Sequence, residues 1–348
     1  MVNIMKKIII LFLLLIPFNV SGLSMIAYEM NSGRVLYSNN VDEQRSVASI
    51  SKIMTAIIAC ESGKLDDMVV IGDEINKSYG SGIYISKDEE MSLRNLVYGL
   101  MLRSGNDASY SIAKYIGGSV DNFVDMMNLK AKEIGMNNTI FNNPNGLEDN
   151  GGNISTAYDM AILTSYAMKN EDYRVITSTK KHTVKTNKNY YSWVNKNKLL
   201  FNYKYTTGGK TGFTEKARRT LVTTASNSNM DIVIVTLNDG NDFNDHVNMY
   251  NKLFSEYKGY NILKKGNIDI FNKDNNTSIY IEDGFKYPLS NNEKDNIYIK
   301  YNIDNDLDNK VFVYLDDKLL FESNVYKIYN EKVTLLKKIC KFFKIKCK

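Results

Sequence analysis

The chain has 348 residues, enough for two domains and a sizeable core. Its formal net charge of +5 is uneven: residues 331–348 carry seven lysines against one glutamate, and the body before them is slightly acidic. That pattern argues against general nucleic-acid binding and for one localised contact with an anionic surface.

Lys6-Lys7, the apolar run Ile8–Ile16 and the small residues of Val20-Ser21-Gly22 predict a cleaved secretory signal over 1–22, with the mature chain starting near Leu23. A hairpin is expected over 24–37, turning at Asn31-Ser32-Gly33. Ile50, Ile53, Met54, Ile57 and Ile58 predict an amphipathic helix from Ser49 to Glu61, stopped by Gly63. Ser92 should cap a helix to Leu102, and a loop holding Ser104-Gly105-Asn106 leads to a helix from Ala108. Ser119 should cap a helix to Ile134, and Ser155 one to Met168. Strands are expected at Val184, Thr207–Gly212, Thr220–Ala225 and Asp231–Leu237, then a helix from Phe243 to Tyr257. Strands bracketing a helical insertion predict an α+β domain over 23–258, an antiparallel sheet flanked by helices with a helical subdomain.

Period-two alternation in Ile297/Ile299/Tyr301 and Val311/Val313/Leu315 predicts a small all-β domain over 259–329, with a hairpin tip at Asp316-Asp317. In 330–348, Leu335, Leu336, Ile339, Phe342 and Phe343 share one helical face among lysines, as in a helix lying on an anionic membrane.

Three short motifs carry candidate chemistry. Ser49-Ile50-Ser51-Lys52 puts a hydroxyl and an amine one helical turn apart, and the lysine can accept the serine proton only if burial or a second cation keeps it neutral. Ser104-Gly105-Asn106 fits a proton relay and an amide clamp, and equally an ordinary turn. Lys210-Thr211-Gly212 at a strand edge fits carboxylate binding, and equally an edge strand blunted by charge. Cys60 reads as a core residue. Neither His182 nor His246 lies in an H-E-x-x-H pattern, so no metal or cofactor is expected.

Each motif alone is unspecific, but S-x-x-K, S-x-N and K-T-G in this order resemble penicillin-binding proteins and serine β-lactamases. Their contexts, together with Asn143-Pro144-Asn145-Gly146-Leu147 and Ser155-Thr156-Ala157-Tyr158-Asp159-Met160, resemble the serine D-alanyl-D-alanine carboxypeptidases. The resemblance implies a β-lactamase/transpeptidase-like catalytic domain that acts on the D-Ala-D-Ala end of peptidoglycan stem peptides through an acyl-enzyme on Ser49. β-Lactam antibiotics would acylate the same serine. Lys52 would be the general base, Ser104 a proton shuttle, and Asn106 a clamp on the substrate amide and Lys52. Lys210 and Thr211 would receive the carboxylate beside Gly212, and the Ser49 and Phe213 N–H groups would form the oxyanion hole. The enzyme would work at the outer face of the cytoplasmic membrane.

Departures matter. An arginine expected near position 242 is missing from Asn241-Asp242-Phe243, and Ala217-Arg218 stands where relatives often read Ala-Gly. Arg218 is therefore taken as a substitute carboxylate ligand, with Arg219 as the alternative. Rival readings are a D,D-endopeptidase, a β-lactamase using Glu148, and a non-catalytic wall-binding scaffold.

Overall fold

The computed structural model describes residues 22–271, 276–303 and 309–328. The leader and the basic tail lie outside the described residues. The chain divides into two units. One holds the residues up to Met30 with Val35–Ser226 and Asp231–Asn251. The other holds Asn31–Arg34, Asn227–Met230 and the chain from Lys252 on.

In the first unit, β1 (Ser24–Glu29), β2 (Val35–Asn39), β3 (Thr206–Thr214), β4 (Arg218–Asn227) and β5 (Met230–Leu237) form a sheet in the order β2-β1-β5-β4-β3. The β1–β5, β1–β2 and β3–β4 pairs are antiparallel. Ile232-Val233-Ile234-Val235 is an unbroken apolar run because this central strand is buried on both faces.

Among the described residues the helices of eight residues or more are α1 (Lys52–Glu61), α2 (Leu93–Arg103), α3 (Asn106–Gly117), α4 (Val120–Glu133), α5 (Ala157–Ala167), α6 (Glu171–Ser178) and α7 (Asp242–Glu256). Ser92 and Ser119 cap α2 and α4 as expected, accepting from Asn95 N and Asn122 N. Three details depart from expectation. Asn106 already belongs to α3, and Thr156 rather than Ser155 caps α5 by accepting from Asp159 N. The short α6, capped by Asn170, was not foreseen. The largest departure is α1, which is buried on every side from Lys52 to Cys60 and packs against each helix from α2 to α6. A lysine at the start of this helix is thereby carried into the interior. Cys60 is a core residue, and burial pushes its thiol pKa up to about 12, so it is inert at neutral pH.

Helix α7 covers β4 and β5 through a buried polar cluster. His246 is fully buried, with Nδ1 2.7 Å from Thr223 Oγ1 and Nε2 3.0 Å from Thr236 Oγ1. Desolvation lowers its pKa from 6.5 to about 3, so the ring is neutral in the fold. The unfolded chain therefore takes up a proton near pH 6.5 that the folded chain refuses until about pH 3. The stability from this site is complete above pH 6.5 and is lost as pH falls towards 3. The expected loss is about 1.4 kcal/mol per unit, on the order of 5 kcal/mol in all. Urea unfolding at pH 7 and pH 4, followed by the fluorescence of the single tryptophan, Trp193, should be less pH-dependent in His246→Gln. Equal dependence in both proteins would remove His246 from this account.

The second unit is all-β. Tyr257–Leu263 pairs with Phe285–Ser290, and five further strands lie in the order Gly266–Phe271, Asn276–Ile281, Lys318–Ile328, Lys310–Leu315, Ile297–Asn302. Its core gathers Leu263, Ile279, Ile281, Val311 and Val325, so the period-two pattern does bury one face. The Lys310–Leu315 and Lys318–Ile328 strands turn at Asp316-Asp317, with Asp316 at φ +51°. Arg34 makes a bidentate pair with Glu293 at 3.2 and 2.5 Å, and its guanidinium lies over the Tyr257 and Tyr287 rings.

Candidate active site

Ser49 sits in a 3₁₀ turn, Ala48–Ser51, that feeds directly into α1. Because α1 is central, the turn is clamped from several sides. Ser51 Oγ donates to Ala48 O at 2.8 Å, and Thr220 Oγ1 of β4 donates to Val47 O at 3.1 Å. The edge of β3 lies against the same turn, and a Cβ at Gly212 would come within 3.0 Å of Ser49 N. Glycine there leaves the amide of the serine uncovered.

Lys52 Nζ lies 3.0 Å from Ser49 Oγ and 2.7 Å from Asn106 Oδ1, and it donates to Asn145 O. A neutral amine has two N–H donors and one lone pair. Donation to Asn106 and Asn145 uses both donors and leaves the lone pair for the serine hydroxyl. Burial is the main cause that holds the Lys52 pKa well below 10.5, and the charges of Lys210 and Lys196 add to it.

Lys210, on β3, is also fully buried. Its Nζ donates to Ser104 Oγ at 3.1 Å and to Thr211 O at 2.7 Å. Desolvation, then Lys196, brings its pKa to about 7. The two lysines titrate as a pair. A positive charge on Lys210 disfavours a second charge on Lys52. Ser104 ends α2 in a left-handed conformation, φ +65° and ψ +35°. A non-glycine residue held there costs roughly 1 kcal/mol or more, a strain typical of functional positions.

Ser49, Ser104, Thr211, Gly212 and Phe213 line one cleft of about 330 Å³, with Lys52, Asn106 and Lys210 buried behind its wall. Arg218 is not among the lining residues. It is exposed at the start of β4 with φ +60°, and its neighbour Arg219 lines the cleft instead, because successive strand residues face opposite sides.

Several contributors have no sequence signal of their own. Asp107 is buried and accepts from the amides of Ile83, Tyr84, Ile85 and Ala108, at 2.6 to 3.3 Å. It thereby fixes the loop whose Tyr79 and Ser81 carbonyls hold Asn106. Asn145 contributes its main-chain carbonyl. The Asn143–Leu147 loop that presents it is tied by Asn143 Oδ1 to Gly146 N (2.7 Å), by Asn153 Nδ2 to Asn143 O (2.9 Å) and by Thr55 Oγ1 to Pro144 O (2.7 Å). Lys196 reaches the cleft and donates to Ser81 Oγ at 3.2 Å. Glu148 Oε1 accepts from Ser46 Oγ at 2.7 Å and Thr214 Oγ1 at 2.5 Å, bonds that tie strand ends together. His182 stacks on Tyr98 with its Nε2 at Asn95, away from the serine.

A serine and a buried lysine thus stand together at the edge of an antiparallel sheet flanked by helices. The D-alanyl-D-alanine carboxypeptidase family model matches residues 16–241, and the chain belongs to that family. It is 35% identical over 251 residues to the D-alanyl-D-alanine carboxypeptidase DacF of Bacillus subtilis, covering 70% of this chain and 64% of that protein. The chain thus spans less than two thirds of that relative. A D-alanyl-D-alanine carboxypeptidase of Streptomyces sp. is 35% identical over 226 residues, 59% of this chain and 77% of that protein. The crystal structure of penicillin binding protein 5 from Haemophilus influenzae aligns with 88% of this chain and 96% of its own, at TM-score 0.75 and 27% identity.

Proposed function

We propose that this protein is a serine D-Ala-D-Ala carboxypeptidase that removes the terminal D-alanine of peptidoglycan stem pentapeptides. The observation that carries the reading is the contact of Ser49 Oγ with the fully buried Lys52 amine at 3.0 Å, beside a cleft lined by Ser49, Ser104 and Thr211. Lys52 takes the Ser49 proton as Oγ attacks the carbonyl of the penultimate D-alanine. The oxyanion rests on the Ser49 and Phe213 N–H groups, donors typically worth about 3 kcal/mol each. The proton passes through Ser104, beside protonated Lys210, to the departing D-alanine amine. Asn106 holds Lys52 and the substrate amide. Water, deprotonated by Lys52, then hydrolyses the ester and frees Ser49.

Support for an exported enzyme at the outer face of the cytoplasmic membrane comes from the leader over 1–22 and the basic amphipathic segment over 330–348. The catalytic domain would span 23–258 and the small all-β domain 259–329. Among the described residues no helix is long and apolar enough to cross a membrane.

Incubation of the leaderless protein with a penicillin should add one long-lived acyl group, seen by intact mass, and Ser49→Ala should acquire none. Rapid destruction of the drug would favour a β-lactamase, and absence of any adduct a scaffold. Release of D-alanine from a pentapeptide, set against cleavage of a cross-linked dimer, separates carboxypeptidase from endopeptidase.

A further inference from the structure

The groups around Ser49 are joined in a closed ring, and all but one of its links belong to the site already described. Lys52 Nζ reaches Ser49 Oγ at 3.0 Å and Asn106 Oδ1 at 2.7 Å. Asn106 Nδ2 donates to Tyr79 O at 2.5 Å. In the other direction, three residues of chain lead from Ser49 back to Ser46, whose Oγ donates to Glu148 Oε1 at 2.7 Å. The next residue is Asp149, and Tyr79 OH donates to its Oδ1 at 2.8 Å. That last bond closes the ring. It joins the loop that holds Asn106 to the loop whose Asn145 carbonyl holds Lys52.

The closing bond differs from the others in its surroundings. Lys52 and Asn106 are buried, whereas Tyr79 is 54% exposed and Asp149 lies at the surface. A hydrogen bond open to water contributes little to global stability, because water solvates both groups when it breaks. Its effect is local. Tyr79 presents the carbonyl that decides which way round the Asn106 amide stands: with Nδ2 on that oxygen, Oδ1 is turned to Lys52. Gly80 follows with φ +79°, and a Cβ there would lie 3.3 Å from Asn106 Nδ2, so the loop runs close against the amide. The bond to the carboxylate raises the Tyr79 pKa above its ordinary value, so the hydroxyl remains a donor at any working pH.

We propose that the Tyr79–Asp149 hydrogen bond is a positioning link for acyl transfer: it fixes the Tyr79 carbonyl, and through it the Asn106 amide, against Lys52 and the substrate. This rests on the acyl-enzyme reading of Ser49. Tyr79 and Asp149 act through Asn106 rather than on the reacting atoms.

Stopped-flow acylation by a penicillin separates the binding constant of the noncovalent complex from the rate constant of acyl transfer within it. Tyr79→Phe removes the hydroxyl and keeps the ring. It should lower the acyl-transfer rate constant by about 5- to 20-fold, with the binding constant and the urea midpoint unchanged. Asp149→Ala should do the same, and the double variant should be no slower than either single one, because the same bond is lost in all three. Asp149→Asn keeps an acceptor oxygen and should recover most of the rate lost in Asp149→Ala. Single variants that acylate at the unmodified rate, or losses that multiply in the double variant, overturn the proposal and leave the acyl-enzyme reading standing. A slower rate matched by a lower urea midpoint also overturns it, because the bond would then serve the fold. If the unmodified protein takes up no acyl group, the reading of Ser49 fails and the proposal with it.

Discussion

Replacing Lys52 with methionine is expected to slow acylation of Ser49 by roughly 10³- to 10⁴-fold, the upper range for loss of a general base. The upper range applies because Lys52 is the amine nearest the serine, 3.0 Å from its oxygen, while Lys210 contacts Ser104. Methionine fills similar volume, so packing around α1 should survive. Two acceptors, Asn106 Oδ1 and Asn145 O, lose their donor, and each buried orphan costs about 1–3 kcal/mol. Lys52→Arg separates base from charge, since a guanidinium cannot give up its proton at working pH and should be just as inactive. An arginine variant with more than a tenth of the original acylation rate would rule out Lys52 as the base.

The pH dependence follows from the same pair. Lys52 must be neutral to accept a proton, so kcat/KM should rise with pH through a pKa far below the ordinary lysine value of 10.5. Lys210 must be protonated, so kcat/KM should fall above pH of about 7, where the free enzyme loses that proton. A bound carboxylate stabilises the Lys210 cation, and the alkaline limb of kcat should lie at higher pH than that of kcat/KM.

Much of the site is legible in the sequence because its chemistry is local. Ser49 and Lys52 are one helical turn apart, and Ser104-Gly105-Asn106 spans one interhelical corner. Serine and glycine at element ends disclose the helices, and the period-two pattern of the second unit discloses its core. The parts that were not legible depend on groups brought together by the fold. Helix α6 is eight residues long, and of its side chains only Tyr173, Ile176 and Thr177 are buried, too few to establish a period. The choice between Arg218 and Arg219 depends on which side of one strand faces the cleft, and on Asp242 arriving from 23 residues away. The full burial of α1 is a tertiary result. The apolar positions suggested one wet face, but five helices close around it, and this burial lowers the Lys52 pKa. The contribution of Asn145 is a carbonyl that every residue possesses, and only the loop around it makes that oxygen particular.

That loop gives the largest expected effect on folding and on chemistry together. Gly146 adopts φ +83°, and a Cβ there would lie 2.0 Å from Ala48 O, 2.4 Å from Ala48 C and 2.6 Å from Ser51 Oγ. All three atoms belong to the 3₁₀ turn that carries Ser49, two of them main-chain atoms that cannot rotate away. In Gly146→Ala the left-handed backbone alone costs about 1–2 kcal/mol. Relieving the overlap must move either the turn or the Asn143–Leu147 loop, whose internal hydrogen bonds and Pro144 anchor resist, for a further 1–3 kcal/mol or so. The sum, about 2–5 kcal/mol, is large against the stability of a domain. Either movement also separates Ser49 from Lys52 or Lys52 from Asn145, and a displacement near 1 Å costs about 10²-fold in rate. Gly135→Ala isolates the collision, since Gly135 has φ +87° and nothing within 4 Å of an added Cβ. It should lose only the backbone term and acylate normally. If urea unfolding puts the two variants within about 1 kcal/mol of each other, the loop is soft, and Asn145 would then owe its position beside Lys52 to the lysine rather than to the loop.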